Sequence, residues 1–213
     1  METGLVAGVT RFEARKTVED LLNSPLPSGS EELIEDRYSS SKATVYISVP
    51  ITSGKALIKA IRRSPEQFRS GLPTPKMTSE IVRQNSLELA TIRNLVAKAF
   101  PSSFIIDPSA LEIPDWSQRD YHRFWIEVIG TQVDSAVFAD DWSFSSGCCL
   151  EFITCVTRQI NCLNSQLDPL SLLDGATLLS KAVSQLTSVG LSAEIVSATS
   201  AYAAGLVEES NTP

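Results

Sequence analysis

Residues 134–152, DSAVFADDWSFSSGCCLEF, set the fold class of this chain. The run Ala136, Val137, Phe138, Ala139 is short and apolar, which predicts a buried strand. A polar loop follows, then Ser145, Ser146 and Gly147, then an apolar stretch predicted as a helix that carries one acid, Glu151. A small-residue turn between the carboxyl end of a strand and a helix is where α/β sheets take ligands. A carboxylate in the first turn of that helix would face such a ligand. The positive end of the helix dipole would keep it ionised.

Working outward, TVYISV (44–49) is a second β-branched and aromatic run, ended by Pro50 and the loop ITSGK. SSFII (102–106) is a third short run, ended by Asp107 and Pro108. Between them, Ser79 is placed as the cap of a helix reaching about Ala99, and 62–78, RRSPEQFRSGLPTPKMT, reads as a long loop with one helical turn. Trp116, Tyr121, Phe124, Trp125, Val128 and Ile129 fit an amphipathic helix before the strand at 134–139. The helix opened by Ser146 is predicted to reach about Leu163, and two more helices are predicted over 168–186 and 192–207. Strands alternating with helices predict an α/β fold: an open parallel, Rossmann-like sheet flanked by helices, with a helical C-terminal extension. The expected divisions are an N-terminal arm at 1–40, partly irregular, the α/β domain at 41–165, and the extension at 166–213. Within the arm, 17–22 is expected to begin a short helix, and PLPSGSEE and SSSK to form loops.

Composition narrows the function classes. The 213-residue chain carries a formal net charge of −7, which argues against nucleic acid as the main partner, because phosphate backbones need clustered Lys and Arg. No apolar run approaches the roughly 18–20 residues that cross a bilayer, so no membrane partner is expected. No basic region followed by an apolar stretch opens the chain, so a secretory signal is not expected. Cys148, Cys149, Cys155 and Cys162 lack the C-x-x-C spacing of zinc sites, and His122 is the only histidine, so neither a metal nor another cofactor is expected. Cys148, Cys155 and Cys162 recur every seven residues, as buried positions along one helix face would, and free thiols suit a reducing cytoplasm.

Several residues carry candidate chemistry. A carboxylate such as Glu151 suits attack on an oxocarbenium-like glycosidic centre; equally, it is an acid at a helix start or a partner capping Ser146. Ser145, Ser146 and Gly147 form either a phosphate cradle or an ordinary N-cap. Tyr46, Ser48 and Pro50 end the first strand at the same predicted edge. SGK there fails as a P-loop, since the leading glycine is missing and Ala56 follows Lys55. Asp140 and Asp141 follow the strand at 134–139 and are expected to reach the site, where paired carboxylates would raise one pKa and supply an acid. Asp134 precedes that strand and reads as structural. Trp142 and Phe144 either stack on a base or pack in the core, and Glu127 either positions Glu151 or sits on the surface.

At these residues the chain resembles the nucleoside 2-deoxyribosyltransferase-like superfamily. VYISVPI (45–51) is similar to its first-strand pattern, and SSGCCLEF (145–152) to its helix start, where a glycine precedes the catalytic glutamate by four positions. Ser145 stands where the deoxynucleoside 5′-monophosphate N-glycosidases place a phosphate-contacting serine. The form W-x-x-S-x-G-x-x-x-E, at Trp142, Ser145, Gly147 and Glu151, resembles an uncharacterised bacterial and phage branch. The likeness covers about 44–165. It departs at Val49, where the family has a small residue, and in offering Glu127 where the family has an aspartate. The resemblance implies a glutamate nucleophile attacking C1′ of a nucleoside or nucleotide, with Glu151 in that role, Ser145 and Gly147 on phosphate or sugar, and Asp140 or Asp141 assisting departure of the base. It also implies a homodimer or higher homo-oligomer. Two other readings stand beside it. One is a non-catalytic nucleotide-binding or scaffold module; the other is an NAD glycohydrolase, since FSSGCCLEF is similar to the glutamate-bearing segment of TIR domains.

Overall fold

TVYIS folds as β1 (Thr44–Ser48), and all five of its residues are buried. A strand buried on both faces belongs inside a parallel sheet, and that is its place. The computed structural model describes residues 11–68 and 73–210. Its sheet has four parallel strands in the order β2-β1-β3-β4, with β2 at Phe104–Ile106, β3 at Ser135–Phe138 and β4 at Asn161–Leu163. Helices flank it, so the fold is α/β with an open parallel, Rossmann-like sheet and helices at the C-terminal end.

Alternation along β1 divides two cores. Val45, Ile47 and Val49 pack with Val137, Ala139 and Leu163 against Leu89, Ile92 and Val96 of α4 (Pro75–Ala99). Tyr46 points the other way, and with Ala136, Phe138 and Cys162 it meets α5 (Gln118–Gln132) and α6 (Ser146–Thr157). The same second core takes in Ala14 and Val18 of α1 (Arg11–Leu22), Ile34 and Tyr38 of α2 (Ser30–Tyr38), Leu179 and Val183 of α7 (Leu172–Ser188), and Val196 and Ala203 of α8 (Glu194–Ser210). Among the described residues, the first and last helices therefore bury apolar surface against the α/β unit.

Chain order fixes where a ligand would go. From β1 the chain passes through α3 (Gly54–Arg63) and α4 to β2 on one side, then returns through α5 to β3 on the other side of β1. Connections on the two sides of the β1–β3 pair diverge, and the carboxyl ends of such a pair are where open α/β sheets place a ligand crevice. Val49 and Pro50 border it on one strand, and Ala139, Asp140 and Asp141 on the other. At the opposite end, Asp134 accepts a 2.7 Å hydrogen bond from the backbone N–H of Thr44, tying β1 to the entry of β3 in the structural role expected of it.

Several elements differ from the sequence expectation. α6 stops at Thr157 instead of reaching Leu163, because Gln159 turns the chain at φ +58° and Asn161–Leu163 joins β3 as an edge strand. Cys162 thus lies on β4 and not on the helix face shared by Cys148 and Cys155, although its thiol still meets that of Cys155. α4 begins at Pro75, and its cap is Thr74, five residues before the expected Ser79; Thr74 Oγ1 accepts from the N–H of Met77 at 3.3 Å. The predicted loop at 62–78 shrinks accordingly. It contains the end of α3 and a 3-10 turn at Pro65–Phe68, and its residues 69–72 lie outside the described residues. In the arm, Arg11 is already helical, ahead of the expected 17, and α2 takes up the end of the expected PLPSGSEE loop.

Candidate functional site

Glu151 is the sixth residue of α6, so it stands in the second turn and not in the first as expected. Its side chain runs down onto β1. Tyr46 and Ser48, two residues apart, project from the same face of that strand. Each donates to a different carboxylate oxygen: Tyr46 Oη to Oε1 at 2.8 Å and Ser48 Oγ to Oε2 at 2.6 Å. The acid is only 8% exposed, and both hydroxyl residues are fully buried. Burial pushes the Glu151 pKa upward, and the two hydroxyl bonds offset part of that shift. Desolvation, the largest influence on this carboxyl, acts in the opposite direction to the helix dipole invoked from the sequence. The same burial, with Glu151 alongside, drives the Tyr46 phenol and the Cys148 thiol well above their ordinary values.

The start of α6 is open in a way the sequence left undecided. Ser145 occupies the N-cap position without making a side-chain capping bond, and Glu151 reaches β1 instead of Ser146. Both ordinary explanations of this segment, a serine cap and a reciprocal acid, are therefore not realised. Ser145, Ser146 and Gly147 are half-buried. A residue without a candidate role in the sequence stands over them: His122 of α5, whose Nε2 lies 3.2 Å from where a Cβ on Gly147 would be and 2.9 Å from Gln118 Nε2. Burial lowers the His122 pKa, favouring the neutral ring. The signal for it was weak, a lone histidine one helix away in sequence.

The two aspartates part company. Asp141 is buried and turned to the start of α3, where its Oδ2 accepts from the backbone N–H of Lys55 at 2.6 Å. Gly54 makes that approach possible: it sits at φ +81°, and a Cβ there would lie 2.3 Å from Asp141 Oδ2. Asp140 is exposed and accepts from Ser165 Oγ. Neither reaches Glu151 through any described contact, so the expected acid pair does not assemble beside it. Trp142 is 2% exposed and stacks at 4.5 Å on Phe152, with Phe138 at 5.4 Å, so its indole belongs to the core. Phe144 is also buried. Glu127 pairs with Arg123 at 2.9 Å and does not touch Glu151. Pro50 is buried, packed toward Gly54 at the crevice.

Among the described residues no group of His, Cys, Asp or Glu is arranged to hold a metal ion, and no helix is long and apolar enough to cross a membrane. What the arrangement offers is a single carboxylate, oriented through both oxygens, behind an uncapped helix start. Compared with known proteins, the chain matches no family model, no curated protein and no solved structure.

Proposed function

We propose that this protein cleaves the base–sugar bond of a nucleoside or nucleoside 5′-monophosphate through Glu151, by hydrolysis or by transfer of the sugar to a second base. The observation that carries this reading is the carboxylate clamped between Tyr46 Oη and Ser48 Oγ on the sheet face below the start of α6. Two hydroxyl donors fix the rotamer of a nucleophile and hold its charge without neutralising it, unlike a lysine or arginine partner. In the proposed reaction a bond forms between a Glu151 oxygen and C1′. The C1′–N bond breaks, its electron pair leaving with the base, which takes a proton from solvent. Water or another base then displaces Glu151 at C1′. Ser145, Ser146 and Gly147, with the free N–H groups of the first turn, suit the sugar or its 5′-phosphate. A site completed across a homodimer belongs to the same proposal.

A second reading, a binding module without catalysis, draws on a different observation. Glu151 has little exposure, both its oxygens are engaged, and none of the described cavities is lined by it. Catalysis would require the packing over Glu151 to shift and admit the sugar. One assay separates the two. The protein is incubated with deoxynucleosides, ribonucleosides, their 5′-monophosphates and NAD, and free base is measured by chromatography. Base release from a nucleoside or its monophosphate is the expected result. Binding of these compounds without any release supports the module, and release from NAD alone overturns both.

A further inference from the structure

We infer that the cavity between α3 and α4 is a second binding site, for the vicinal diol of a ribosyl or similar sugar group. It lies on the α4 side of the sheet, whereas Glu151 lies on the α6 side, so it stands or falls independently of the proposed reaction. The cavity holds about 330 Å³, and its walls include Lys55, Lys59, Gln84, Glu88, Asp140 and Asp141.

One atom there asks for a ligand. Asp141 is 97% buried, and while Oδ2 accepts from Lys55, Oδ1 is buried with no hydrogen-bond partner. A buried oxygen left unpaired is costly, and native chains keep few of them. Glu88 is half-buried in the same lining, with Asp141, Asp140 and Lys55 as its charged neighbours. Burial raises the pKa of both Glu88 and Asp141.

Charge selects the ligand. A phosphate placed here would meet three carboxyl groups, and an organic cation would meet two lysines. A hydroxyl group both donates and accepts. Adjacent hydroxyls can therefore donate to Asp141 Oδ1 and Glu88 while accepting from a lysine ammonium and the Gln84 amide, with no added charge. The side chains are held ready: Asn85 Nδ2 donates to the carbonyls of Ile51 and Ser53 at 2.9 and 3.0 Å, fixing the loop that leads into α3.

The test follows backbone amide shifts of the full chain during titration with methyl β-D-ribofuranoside, methyl 2-deoxy-β-D-ribofuranoside and inorganic phosphate. Saturable shifts confined to α3, the 82–90 stretch of α4 and the 140–142 turn are expected for the riboside. The deoxyriboside, lacking one hydroxyl of the diol, should bind about tenfold more weakly. Asp141→Asn replaces the unpaired acceptor by a donor and should weaken the riboside by a similar factor. Because Asp141 also supports α3, Glu88→Gln is the companion variant, expected to weaken binding with an unchanged melting temperature. No saturable shift at these amides, equal binding of the two sugars, tighter binding of phosphate, or wild-type affinity in Glu88→Gln would each overturn the assignment.

Discussion

Glu151→Gln is expected to abolish base release, by at least about a thousandfold in kcat/KM, while the fold stays intact. Glutamine keeps the shape of the side chain and can still accept from one hydroxyl and donate to the other, since Tyr46 and Ser48 each offer an oxygen lone pair. It cannot form the glycosyl ester. The change in stability has a definite sign. The folded-state pKa of Glu151 lies above its unfolded value, so the folded protein binds the extra proton. Stability from this group is fully present below the ordinary glutamate range and is lost as pH rises through the raised pKa. Glutamine removes that loss, so its stability relative to wild type should improve as pH rises through the same window. Glu151→Ala should behave differently, because it leaves two buried hydroxyls without partners and a cavity, at a cost of about 2–5 kcal/mol. Denaturant unfolding of the three proteins across pH measures all of this. A glutamine variant that unfolds like the alanine variant would mean that the carboxylate is chiefly structural.

Gly175→Ala is expected to destabilise by about 1–3 kcal/mol, even though alanine is the better helix former. Gly175 lies in α7 directly over the Phe152 ring, and a Cβ there would fall 2.1 Å from Cζ and 2.4 Å from Cε1. The ring cannot retreat: Phe152 is fully buried, with Trp142 at 4.5 Å and Phe138 at 5.6 Å. Phe152 follows Glu151 in α6, so displacing it should also reduce whatever activity Glu151 supports. Gly205→Ala in α8 is the control, since nothing lies within 4 Å of its added Cβ. There the helix-propensity gain should appear as about 1 kcal/mol of added stability. Equal effects at both positions would show that α7 does not press on Phe152.

The sheet was legible where burial was continuous. β1 is buried throughout and β3 over its last three residues, and a strand covered on both faces shows a short run of β-branched, aromatic and small residues without alternation. β4 was hidden because its three residues follow an apolar helix after only a short turn, and cysteines every seven residues imitate a helical face. α3 was missed because GKALIKAIRR is rich in charge and buries only Gly54, Ile58 and Ile61. At the site, the acid and its neighbours Tyr46 and Ser48 were legible as an i, i+2 pair and a helix residue, but their mutual contact depends on α6 crossing β1. Asp140 and Asp141 are adjacent in sequence, and nothing local reveals that one faces solvent and the other caps α3. The pKa of Glu151 was misjudged for the same reason: its depth below the helix start is a tertiary fact.

The central claim is that Glu151 attacks C1′, and trapping the sugar on the enzyme tests it most directly. A substrate found in the base-release assay is remade with fluorine at C2′, which slows both steps by destabilising the oxocarbenium-like transition state. Intact-mass measurement should then show one fluorosugar added to wild type, mapped by proteolysis to the peptide carrying Glu151, and none on Glu151→Gln. Base release without an adduct, or an adduct on any other residue, would contradict the account.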